Sequence, residues 1–292
     1  MNQLQPTRQC VDCLISMAKD VIVFANADRA HLIEKAERIS RDILADARDK
    51  EVNSPQLANR ILRQMRQLTG KDDPYAEFKS REMAQARKII SQLKKKLADN
   101  LRSLAGLAAL GNSLDFFHNP AHALADIPHQ FSNGFAFYRD NLAQLEVFLD
   151  KNPRRILYLT DNAGEIYFDI PLYDYLKRYC RQLYLVVKGG PALNDLTRAE
   201  LQTADLKDRF EAVADTGTDG AGIDWDHVSP EFLDLFASAD LIISKGMANF
   251  ETLYPQSIPA ASFYLFKVKC APIQNYIQAP VNSFMALWKD GN

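Results

Sequence analysis

Apolar positions in the first half of the chain recur at steps of three and four. Leu32, Ile33, Ala36, Ile39, Ile43, Leu44 and Ala47 fall on one helical face, the stripe that an amphipathic helix buries. Ser54-Pro55 reads as an N-cap followed by proline at the first helical position, where a missing N–H is harmless. It opens a second stripe of Leu57, Ile61, Leu62, Met65 and Leu68 that Gly70 closes. A third, longer pattern runs from Tyr75 through Phe78, Ile89, Leu93, Leu97, Leu101 and Leu104, with the lysine run 94–96 on its solvated face. The half closes with Gly111-Asn112-Ser113-Leu114-Asp115, a loop rich in Pro and His, and a helix expected over 135–149.

The pattern then changes. Short β-rich runs fall at 155–160, 183–187, 210–214, 241–244 and 263–268, with helix-like segments between most of them, one of them opened by Ser229-Pro230. Near-continuous apolar strands alternating with helices predict a mostly parallel, doubly wound α/β sheet covered on both faces. The expected organisation is a helical N-terminal domain over 1–150 and an α/β domain over 151–292.

Composition narrows the classes. The 292 residues are 47% hydrophobic and 25% charged, with a net charge of -2, as in ordinary globular proteins. No apolar run is long enough to span a bilayer and residues 1–9 lack a signal pattern, so a cytoplasmic protein without a membrane partner is expected. The balanced charge gives no basic face for nucleic acid. Residues 1–150 carry 21 Lys and Arg against 19 Asp and Glu, the rest 14 against 18, so the acidic excess lies in the α/β half. Four cysteines in such a chain are expected to be reduced. Cys10 and Cys13 make one C-x-x-C, half of a zinc site; with Cys270 they could form a soft-metal or redox site, or pack as small hydrophobes, while Cys180 stands alone. His118 and His122 have i, i+4 spacing, but Pro120 between them opposes the helix a metal pair would need. No phosphate-binding P-loop, no G-x-G-x-x-G and no nucleophile elbow is present.

The chemistry follows the strands. The runs end in Asp161-Asn162-Ala163-Gly164-Glu165, in Lys188-Gly189-Gly190-Pro191 with Asn194-Asp195, in Asp215-Thr216-Gly217 with Asp219, in Lys245-Gly246 with Asn249, and in Lys267 and Lys269-Cys270. A parallel sheet gathers such ends at one edge, where ligands bind. Asp161, Asn162 and Asp195 offer hard oxygens suited to a divalent ion (Mg, Mn, Co or Ni). Lys245 and the glycine-rich turns could hold an anion. Each cluster also has a plainer reading: Asp161-Asn162 and Asn194-Asp195 as helix caps, Asp215-Thr216-Gly217 as a turn, Lys245 as a solvent-facing lysine.

Together these motifs, with Cys10-Val11-Asp12-Cys13 and Gly111-Asn112-Ser113-Leu114-Asp115, resemble the DUF89 family, the ARMT1-like damage-control phosphatases, in its prokaryotic branch. The resemblance spans nearly the whole chain. It implies a metal-dependent phosphatase acting on phosphate monoesters of small metabolites, sugar phosphates or damaged phosphometabolites. It implies that Asp161, Asn162 and Asp195 hold the metal and that Lys245 meets the substrate phosphate. Asn112 and Asp115 match a further Asn-x-x-Asp element, and with Glu165 and Asn249 they complete the expected substrate contacts. Attack by a metal-activated water is favoured over attack by Asp161 itself. The alternatives are an S-adenosylmethionine-dependent carboxyl methyltransferase and a regulator that binds metal and metabolite without turnover. The oligomeric state is left open.

Overall fold

The structure is a computed structural model that describes residues 4–25, 29–48, 50–93, 98–112 and 135–292. Asp115, His118, His122 and the lysine run 94–96 lie outside the described residues. Eleven α-helices and seven strands make up the described fold.

The helical stripes become α1 (Arg8–Phe24), α2 (Arg29–Asp46), α3 (Ser54–Thr69), α4 (Ala76–Leu93) and α5 (Leu101–Gly111). Asn53, one residue before the expected cap, starts α3: its side chain accepts the Gln56 N–H while the Gln56 side chain accepts its own, a reciprocal capping box. Gly70 ends that helix in the left-handed conformation, φ 64°. The long pattern expected from Tyr75 to Leu104 is two helices. The second begins where the Asn100 side chain accepts the Ser103 N–H at 2.9 Å, a local cap that competes with continuing the first.

The expected helix over 135–149 is shorter. Its first residues turn into β1 (Arg139–Asp140), which pairs with β7, and the helix proper is α6 (Leu142–Leu149). There follow β2 (Arg155–Leu159), a 3-10 turn (Ala163–Glu165), α7 (Ile166–Lys177), β3 (Gln182–Val187), α8 (Arg198–Thr203), β4 (Ala212–Asp215), α9 (Pro230–Ala237) and β5 (Leu241–Lys245). The chain ends with α10 (Met247–Leu253), β6 (Ala261–Lys267), α11 (Ala271–Ile277) and β7 (Phe284–Lys289). The sheet order is β1-β7-β6-β5-β2-β3-β4, parallel throughout except for the antiparallel β6–β7 pair. That seventh strand was not anticipated from the sequence.

Side chains alternate across the sheet as the pleat requires. Ile156, Tyr158, Leu241 and Ile243 join one apolar cluster with α4 to α7, whereas Leu157, Leu159 and Ile242 join another with Phe232, Phe236, Phe250 and Leu253 of α9 and α10. Helices therefore cover both faces. The five N-terminal helices divide between two cores: α1 to α3 share a cluster of their own, and α4 and α5 pack with the sheet. The first group docks through α3. Asn59 exchanges two hydrogen bonds with the Ala221 backbone, and Arg63 reaches Asp219 and Asp224, while Arg66 reaches Asp219 and the Pro191 carbonyl.

Candidate metal and phosphate site

The turn after β2 carries Asp161 and Asn162. Asn162 precedes the 3-10 turn but makes no capping hydrogen bond with its side chain, and α8 is capped by Thr197 with Glu200, not by Asn194 or Asp195. The cap readings of both motifs are thus set aside by the geometry. The two turns face each other: Asn162 and Asp195 form an isolated antiparallel bridge, with the Ala163 N–H on the Asn194 carbonyl at 2.8 Å and the Leu196 N–H on the Asp161 carbonyl at 2.9 Å.

Three oxygens are left over. The Asp161 Oδ2 accepts Asn112 at 2.7 Å and Asn162 at 3.4 Å, leaving Oδ1 without a hydrogen bond among the described residues. The Asn162 amide nitrogen donates to Glu165 at 2.6 Å and its oxygen has no donor among the described residues. The Asp195 Oδ2 is buried with no hydrogen bond among the described residues; the Lys188 ammonium stands 3.6 Å away. A buried carboxylate oxygen left unpaired is costly, and two carboxylates with an amide are the hard-oxygen set a divalent cation takes. No cluster of three His, Cys, Asp or Glu side chains is preassembled for a metal among the described residues; here the third donor is an asparagine.

Carboxyls crowd this edge. Burial, then Glu165 and Asp195, push the Asp161 carboxyl well above the usual range, and burial with Glu165 also raises Asp195 against the pull of Lys188. An added cation would relieve both.

Lys245 is fully buried rather than solvent-facing. Its ammonium donates to Glu165 at 3.0 Å and Asp169 at 2.6 Å. Burial alone would lower its pKa, but these two carboxylates outweigh burial and raise it. Burial lifts Asp169 to about 6 although Lys245 opposes it. Two of three ammonium protons are engaged, which leaves the third. Glu165 accepts from Asn112, Asn162 and Lys245. Asn249 donates to the Thr160 and Lys245 carbonyls and accepts from Lys188 at 3.2 Å, so it braces the ends of β2 and β5. Gly246 adopts φ 79°, and a Cβ there would overlap the Asp161 carboxylate.

Other motifs are placed differently. The Gly189 and Gly190 amides both donate to the Thr218 carbonyl, so this turn is stitched to the β4 loop. Asp215 accepts the Gly217 N–H at 3.0 Å, as its turn reading expects, and pairs with Arg198. All four cysteines are free. Burial raises the Cys13 thiol, and Cys10 and Glu251 raise it further; Cys270 is raised by burial and by the same neighbours. Cys13 is exposed, whereas Cys10 and Cys270 are half-buried. Three site residues escaped sequence reasoning. Asp169 was legible as the i+4 neighbour of Glu165 on a helix. Glu82 and Lys79 of α4 signal themselves only as charges on an otherwise buried face. Lys269, named among the strand-end residues without a role, is exposed, makes no ion pair among the described residues and acts electrostatically on Asp161 and Glu82.

Comparison with known proteins gives this edge its family. The profile of the damage-control phosphatase ARMT1-like domain matches residues 7–283. The chain belongs to the ARMT1-like family. Among ARMT1-like relatives, a damage-control phosphatase of Pyrococcus horikoshii is 29% identical over 284 residues, covering 96% of both chains. A damage-control phosphatase of Archaeoglobus fulgidus is 29% identical over 280 residues, 95% of this chain and 96% of that one. An uncharacterized Methanocaldococcus jannaschii protein is 30% identical over 298 residues, 96% and 94%. The crystal structure of a DUF89 family protein from Pyrococcus horikoshii superposes with a TM-score of 0.87 at 27% identity, covering 97% of this chain and 98% of that one. No helix among the described residues is long and apolar enough to cross a membrane.

Proposed function

We propose that this ARMT1-like protein is a metal-dependent phosphatase that hydrolyses phosphate monoesters of small metabolites, sugar phosphates or damaged phosphometabolites. The observation that carries the reading is the bridge that sets the Asp161-Asn162 turn against Asp195, whose buried Oδ2 has no hydrogen bond among the described residues, close to the buried Lys188 and Lys245 at the strand ends. These three residues would hold the metal. A divalent ion there polarises phosphoryl oxygens and acidifies water. Lys245 offers its third N–H to the phosphate, and exposed Lys269 draws the anion into a site otherwise rich in carboxyls. Asn112 and Glu165 fix the Asp161 and Asn162 side chains. Asp161, with one oxygen tied to two amides, serves as a ligand in this reading and water is the nucleophile.

The test is phosphate release from p-nitrophenyl phosphate and a panel of sugar phosphates, with EDTA and with added Mg, Mn, Co or Ni. Release that needs metal and disappears in Asp161→Ala supports the reading. Metal-independent release, or full activity in Asp161→Ala, overturns it.

A further inference from the structure

Helix α4 lies against the 3-10 turn that follows Asn162. Two of its buried residues, Lys79 and Glu82, are three apart and so share one face. Both point at the segment that carries Asp195. Lys79 pairs with Glu200 at 2.7 Å and with Asp73 at 2.6 Å, and Glu200 is the residue that completes the cap of α8 on Thr197. Glu82 accepts the Asn194 side-chain amide at 3.4 Å. Its stem also lies on Gly164, where a Cβ would come within 2.6 Å of the Glu82 Cγ and 3.1 Å of its Cδ. Glu82 thus touches both facing turns at once, Gly164 beyond Asn162 and Asn194 before Asp195.

We propose that Glu82 is a positioning residue, whose carboxyl, wedged on Gly164 and holding the Asn194 amide, keeps Asp195 in register with Asp161 and Asn162. The inference rests on the metal-site reading of those three residues. Residues that orient ligands from behind tune metal affinity almost as strongly as the ligands do. The backbone supplies two links between the turns; Glu82 adds the side-chain link and anchors it to a rigid helix. Burial and the Glu165 charge push its carboxyl up to about 8. Near neutral pH it therefore holds its place as an uncharged acid, whose carbonyl still accepts, and does not add to the negative charge around Asp161.

Amide hydrogen exchange of the metal-free full chain tests this directly. In Glu82→Ala the Ala163 and Leu196 amides should exchange about tenfold faster or more, while sheet amides such as Leu157 keep their protection. Glu82→Gln, an isostere of the neutral acid, should behave as wild type, and Asn194→Ala should reproduce Glu82→Ala. Mn binding by calorimetry should weaken about 10–100-fold in Glu82→Ala and not in Glu82→Gln. Unchanged exchange at Ala163 and Leu196, or equal loosening across the sheet, overturns the inference. Absence of Mn binding in the wild type would instead sink the metal reading, and the exchange data would still decide the role of Glu82.

Discussion

Asn112, the C-cap of α5, donates to Asp161 at the end of β2 across 2.7 Å. The same amide nitrogen donates to Glu165 at 2.8 Å, and its oxygen accepts the Lys267 N–H at 3.2 Å. One side chain thus ties the helical layer to the ends of β2 and β6. Asn112→Ala frees Asp161 and Glu165, two carboxylates that repel. Phosphatase turnover is expected to fall about 10–100-fold, with a matching loss of metal affinity. Phosphate release and metal titration on one preparation check both.

Lys245 is the ion-pair partner of both Glu165 and Asp169 inside the protein. Lys245→Met leaves the two carboxylates buried and unpaired, which costs about 3–5 kcal/mol in comparable sites. Urea unfolding should show that loss together with loss of activity. Loss of activity at wild-type stability would mean that the lysine serves the substrate alone.

Lys269 behaves differently because it is exposed and unpaired among the described residues. Lys269→Ala should leave unfolding free energy within about 0.5 kcal/mol of wild type. KM for a phosphate monoester should rise about tenfold, the loss of about 1.4 kcal/mol of binding. Steady-state kinetics at two ionic strengths will show the difference shrinking as salt screens the charge.

Glu251 makes pH a stability variable. Burial pushes its carboxyl up to about 8, so the folded chain holds a proton that the unfolded chain has lost. A raised folded-state pKa gives stability present below the unfolded value and lost as pH rises through the folded one. From about pH 5 to about pH 8 the wild type should lose on the order of a few kcal/mol, and Glu251→Gln should flatten that slope. Denaturant midpoints across this range are the measurement.

Gly246 tests the packing of the site with a single methyl. Gly246→Ala both strains a left-handed backbone and drives a Cβ into the Asp161 carboxylate. Metal binding should be lost while α10 and β5 stay folded, visible as unchanged far-ultraviolet dichroism.

What the sequence revealed follows from what periodicity and strand-end logic can see. Five strands were legible because each is an apolar run, and Asp161, Asn162 and Asp195 stood out as candidates because they lie in the connections that follow two of them. Strand β1 was missed because its two residues carry no period, and β7, an apolar run after α11, was not read as a strand. The break between α4 and α5 was hidden because the apolar spacing continues across Asn100. Glu82 could not be found from spacing alone: a glutamate on a helix is ordinarily solvated, and only packing against Gly164 shows where it points. Asn249 and Glu165, expected to face substrate, bond with protein groups at the strand ends, a placement that only the packed structure shows.

The docking of α3 has a bearing on how the chain assembles. Arg63 and Asp219 are 156 positions apart, and burial of Asp219 is offset by Arg63 and Arg66, which hold its carboxyl below the usual range. Helices α1 to α3 share a cluster of their own, yet the carboxylate partners of Arg63 and Arg66 exist only once the chain extends past Asp224. The contacts that fasten α3 to the β4 loop therefore join segments far apart in sequence, and closing so long a loop costs chain entropy that their ion pairs must offset.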